Sequence, residues 1–144
     1  MTKLIHYIKL IIICSAIISC NTTVIKKNSP EDLEKGLAII DSFHLSINTS
    51  TTNFQTYLHE RFYDEAPSRQ ELDSTIVKLY SNAGIFVKDS VISYQIVTYS
   101  NEPERDEYYI KLISIYTNDT VGEGCYLLNQ RDILKIARID INFK

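Results

Sequence analysis

Hydrophobic and polar positions divide this chain into one short apolar run, three stretches of helical period and four of period two. The apolar run, Leu10 to Ile18, is shorter than the roughly 20 residues a membrane-spanning helix needs. Residues 21–29 are polar and aperiodic and read as a tether, a flexible coil spanning about 15–18 Å. Ser29-Pro30-Glu31-Asp32 then supplies a helix cap, a proline at the first helical position and acids in the first turn. Leu33, Leu37, Ile40, His44 and Ile47 follow at spacings of three and four, and Asn48 to Thr52 break the pattern. A second helix is expected near Thr52, with Gln55 completing a capping box and Phe54, Tyr57, Leu58, Arg61 and Phe62 on its buried face. It ends at Asp64-Glu65-Ala66-Pro67. A third begins at Ser68-Arg69-Gln70-Glu71, carries Leu72, Ile76, Leu79, Tyr80 and Ala83 on one stripe, and stops at Gly84 in a left-handed cap.

From Ile85 the period becomes two. Ile85 to Ser100 reads as a long strand with a bulge or break at Lys88-Asp89-Ser90. Glu107 to Thr117 alternates, with Tyr108, Ile110, Leu112, Ser114 and Tyr116 on one side; Val121 to Asn129 and Ile133 to Phe143 complete the set. Polar turns separate these strands, and Glu102, Glu104, Asp106 and Glu107 with Arg105 form a solvated hairpin tip. The expected fold is α+β: three N-terminal helices packed on a curved four-stranded antiparallel sheet.

The start of the chain gives the most specific chemistry. Lys3 and Lys9 precede the apolar run, which is the layout of a secretory signal. Its end, Ile17-Ile18-Ser19-Cys20, resembles the bacterial lipobox, which implies cleavage before Cys20 and lipidation of that cysteine. The domains expected are a signal peptide over 1–19, a lipidated tether over 20–29 and one folded domain over 30–144. Removing residues 1–19 from the 144 leaves 125, enough for a single domain that buries roughly two thirds of its unfolded surface. Lys3 and Lys9 leave with the signal, taking the formal charge from −3 to −5, which argues against nucleic acid as a partner. Cys14 leaves too and Cys20 takes lipid, so Cys125 has no disulfide partner and is expected to be a small buried residue.

Several segments together resemble the nuclear transport factor 2-like (cystatin-like) superfamily, and in particular small bacterial lipoproteins of unknown function that use that shape. The resemblance spans residues 30–143. It rests on helix one followed by the Phe54-to-Tyr63 helix, on Ser68-to-Gly84 entering the first long strand, and on the ending Leu127-Leu128-Asn129-Gln130-Arg131-Asp132-Ile133-Leu134-Lys135-Ile136. The chain departs from the family in carrying Arg131-Asp132 where a turn glycine is usual, and Leu134 near the usual tryptophan. Membership implies a conical pocket but no particular reaction. Enzymes of this shape place Asp, His or Tyr inside the cone, so Asp41, His44, Tyr57 and His59 are the ligand-pocket candidates, with Tyr63 beside them. No catalytic set, cofactor motif or ligand-spaced metal pair is legible. The strand tyrosines Tyr94, Tyr99, Tyr108, Tyr116 and Tyr126 are read as packing residues.

Asp73-Ser74-Thr75, Asp89-Ser90-Val91 and Asp119-Thr120-Val121 resemble the O-glycosylation triplets of some exported bacterial proteins, which makes Ser74, Ser90 and Thr120 modification candidates. The resulting expectation is a non-enzymatic accessory or binding module, lipid-anchored through Cys20. Lys26 and Lys27 behind that cysteine favour the periplasmic face, and the partner would be another protein of the cell envelope. Two alternatives stand beside it: a ligand-binding or enzymatic cone using His44 and Asp41, and an immunity-type inhibitor of a toxin.

Overall fold

The computed structural model describes residues 24–26, 28–49, 53–99, 105–130 and 133–143. The signal segment, Cys20, the Thr52 cap, Glu102, Glu104, Arg131 and Asp132 lie outside the described residues. The architecture is α+β, with the helices N-terminal to an antiparallel sheet.

Helix α1 runs Pro30–Asn48. Ser29 caps it: its hydroxyl accepts from the Asp32 N–H at 3.1 Å and donates to the Asp32 carboxylate at 2.6 Å. Gly36, Ile40, Phe43, His44 and Ile47 form its buried face. At Gly36 the helix lies so close to the sheet that a Cβ would come 2.5 Å from the Ile110 side chain. Helix α2, Arg69–Ala83, is capped by Ser68, which accepts from the Glu71 N–H at 3.2 Å. It ends at Gly84, whose φ is positive at +97° as a glycine allows, but whose ψ of −154° is extended and not the left-handed helical cap expected there.

The expected second helix does not form. Two 3₁₀ turns, Phe54–Tyr57 and Glu60–Tyr63, replace it, so among the described residues the α-helices number two rather than three. The cause is tertiary. Leu58 is extended (φ −93°, ψ 136°), is 4% exposed, and bridges to Ile136, and the His59 N–H donates to the Ile136 carbonyl at 2.8 Å. A helix of that length is marginal by itself, so burying Leu58 against the last strand outweighs its continuation.

Five strands follow one another in order across the sheet: β1 Val24–Lys26, β2 Phe86–Tyr99, β3 Glu107–Tyr116, β4 Thr120–Gln130 and β5 Ile133–Phe143. The four long strands are those the alternation predicts. The short β1 corrects the reading of residues 21–29 as tether throughout: Val24 and Ile25 are β-favouring types, and they pair with Thr98 and Tyr99 on the edge of β2. Register shifts interrupt β2 between Phe86 and Lys88 and again between Val91 and Ser93. The strand therefore bends without breaking at Lys88-Asp89-Ser90.

The inward faces are as the period of two requires. Tyr108, Ile110, Leu112, Ser114 and Tyr116 of β3 are all buried, as are Val121, Glu123, Cys125 and Leu127 of β4. They pack with Ile40, Phe43, Phe54, Leu58, Ile76 and Tyr80 in one core. Asn48 ties the end of α1 to the start of β2: with its amide nitrogen turned toward Gly84, it donates to that carbonyl at 3.0 Å and accepts from the Phe86 N–H at 2.7 Å. The exposed Tyr109 stacks on Tyr126, ring centroids 4.6 Å apart.

Candidate functional site

The most unusual chemistry lies inside the core. His44 of α1, on the apolar stripe, points at the sheet with no side-chain exposure. Its Nε2 is 3.0 Å from Oε2 of Glu123 on β4, and its Nδ1 is 3.7 Å from Oδ2 of Asp89 on β2. Four rings surround the imidazole: Phe86 at 4.9 Å between centroids, Tyr80 at 5.5 Å, Phe43 at 5.6 Å and Tyr116 at 5.9 Å. Cys125, two residues along β4, points its Sγ to the same Glu123 oxygen at 4.0 Å.

This cluster holds far more polar capacity than it satisfies. His44 Nδ1, both Asp89 oxygens, Ser114 Oγ, Glu123 Oε1 and the hydroxyls of Tyr80 and Tyr116 are buried without a well-formed hydrogen bond, although Ser114 and Asp41 lie close enough to act on Asp89, and Glu123 on the two tyrosines. Buried polar groups are normally paired, so this concentration makes the cluster the candidate site. Burial pushes the Asp89 carboxyl up to about 7, with Asp41 adding to the rise and His44 and Ser114 opposing it. Burial, then the charge of Glu123, raises both Tyr80 and Tyr116. The same two causes lift the Cys125 thiol well above its ordinary value, which keeps it protonated and unreactive.

The sequence candidates separate here. Asp41 and His44 come together one helical turn apart, with Asp41 near enough to Asp89 to act on its charge. Tyr57 sits half-buried in the first 3₁₀ turn and packs against the core. His59 caps the second 3₁₀ turn, its Nδ1 accepting from the Arg61 N–H at 3.1 Å, and burial followed by the Arg61 charge lowers its pKa. Among the described residues no hydrogen bond or ion pair joins Tyr57 or His59 to His44. Ser74, Ser90 and Thr120 are all exposed, on α2, on β2 and at the first residue of β4.

Asp89 and Glu123 are the members that sequence reasoning missed. Glu123 was within reach, because Val121, Glu123, Cys125 and Leu127 share one face of an alternating strand. Asp89 was not, because the register shifts on either side of it change which face each residue takes.

The open surface lies elsewhere. A groove of about 1050 Å³ runs between the end of α1 and α2, where Asn48, Phe54, Asp73, Val77, Lys78 and Ile85 line it, and none of Asp41, His44, Tyr57 or His59 does. At one wall Asp73 accepts from the Tyr63 hydroxyl at 3.0 Å and from Gln55 at 3.2 Å. Among the described residues no group of His, Cys, Asp and Glu side chains is arranged to hold a metal ion, and no helix is long and apolar enough to cross a membrane. Comparison with protein-family models, with curated proteins and with solved structures finds no match.

Proposed function

We propose that this chain is a lipid-anchored accessory module of a bacterial cell envelope, facing the periplasm, which acts by binding a protein partner and not by catalysis. The enclosure of His44 carries this reading. A general base must come within reach of the proton it removes. This imidazole instead meets Glu123, Asp89 and four aromatic rings. The anchor rests on Ile17-Ile18-Ser19-Cys20. Because β1 begins at Val24, the four residues from Cys20 to the sheet reach at most about 14 Å, which would hold the domain against the membrane surface.

A partner has a place to bind. From Phe86 to Gln95 the edge of β2 away from β3 carries no strand among the described residues, and Val87 (57% exposed) and Ile92 (63%) stand out along it. An extended segment of an envelope protein would add there, continuing the pairing that β1 makes at Val97–Tyr99. An immunity-type inhibitor would be one form of such a module.

Labelling cells with a palmitate analogue tests the anchor. Wild-type protein should take the label and stay with membranes, while Cys20→Ala should be unlabelled and either soluble or unprocessed. A labelled, membrane-bound Cys20→Ala protein would refute the anchor. A second reading, a cone acting on a small ligand through His44 and Asp41, draws on the imidazole held between two carboxylates. It requires the rings of Tyr80, Phe86 and Tyr116 to part, and it fails if His44→Ala leaves ligand binding unchanged.

A further inference from the structure

We propose that His44, Asp89 and Glu123 form an internal proton-binding site that sets how firmly α1 is held on the sheet. Helix α1 brings Asp41 and His44 to the cluster, α2 brings Tyr80, β2 brings Asp89, β3 brings Ser114 and Tyr116, and β4 brings Glu123 and Cys125. Asp140 on β5 acts from farther away, through Cys125. Even a fully charged imidazole balances only one of the enclosed carboxylates, Asp89 and Glu123, whose side chains are 7% and 0% exposed. Carrying two anions there is costly, so the cluster keeps a proton that an exposed pair would release.

Position turns that proton into a latch. Asp89 and Glu123 come from different strands, and His44 is the α1 residue between them. At 3.7 Å, against 3.0 Å to Glu123, Asp89 lies on the less tightly held side of the imidazole. Burial raises the Asp89 carboxyl to about 7, against an ordinary value near 4 in the unfolded chain. The folded protein therefore binds this proton more tightly than the unfolded one does. The stabilisation is fully present below about pH 4 and is lost as pH rises through about 7. Nothing in this depends on whether the chain is lipid-anchored.

The test is thermal melting of full-length wild-type, Asp89→Asn and Asp140→Asn proteins between pH 4.5 and 8.5. Asn keeps the shape of Asp89 without its charge, so Asp89→Asn should melt several degrees above wild type at pH 8, and the gap should close toward pH 5. Asp140→Asn, with its exposed side chain, should follow the wild-type slope. Parallel profiles for wild type and Asp89→Asn would overturn the proposal. Should Asp89→Asn fail to fold, carboxyl-carbon NMR of the wild type with Asp89 assigned decides the matter: an Asp89 carboxyl titrating above pH 6 upholds the proposal, and one titrating below pH 6 overturns it.

Discussion

His44 Nε2 lies 3.0 Å from Glu123 Oε2, joining side chains 79 residues apart that are both closed to solvent. Removing Glu123 leaves His44 with the looser Asp89 contact at 3.7 Å, and breaking a buried pair costs about 3–5 kcal/mol. Glu123→Ala should therefore destabilise the domain by about 3 kcal/mol or more in urea unfolding, and Glu123→Gln by less. Replacing all three members with apolar residues, His44→Phe, Asp89→Leu and Glu123→Leu, should recover most of that loss, since no buried carboxylate is then left without its imidazole.

The Cys125 thiol is 2% exposed, and burial together with Glu123 raises its pKa. In native protein it should resist iodoacetamide at pH 8 and react only on unfolding, as followed by intact mass. Alkylation of folded protein at the rate of a free thiol would mean that the core around Glu123 opens readily.

Much of this fold is legible in the sequence because its strands alternate cleanly. The β3 stripe from Tyr108 to Tyr116 is buried as its period requires, polar Ser114 included. Both α-helices carry side-chain caps at the serines that signal them, Ser29 and Ser68. What local pattern cannot contain is long-range. The segment from Phe54 to Tyr63 has a helical period, yet Leu58 and His59 are drawn to Ile136, nearly eighty residues later. Val24 to Lys26 looks like linker until the free edge of β2 is there to pair with. His44 was visible on its stripe, but its carboxylate partners depend on the register of two distant strands.

Gly84 has φ +97°, and a Cβ there would meet Thr117 Oγ1 at 2.2 Å. Gly84→Ala combines a disfavoured backbone with a clash at the α2–β2 corner, and should cost on the order of 1–3 kcal/mol, read as a fall in Tm.

Asn48 satisfies the Gly84 carbonyl and the Phe86 N–H at that same corner. Asn48→Ala should cost about 1–2 kcal/mol for the two bonds lost and speed amide exchange at Phe86 ahead of the rest of β2.

The proposed binding role rests on His44 being sealed inside the core. Deuterium exchange at the imidazole C2 position, followed by mass spectrometry, reads the access of each histidine ring to solvent. The half-buried His59 supplies the internal reference. The prediction is that His44 exchanges at least about tenfold more slowly than His59 in native protein, and at the same rate once the chain is unfolded, since an enclosed group exchanges only through opening. Equal rates in the folded protein would contradict the account, because they would place the imidazole within reach of a substrate.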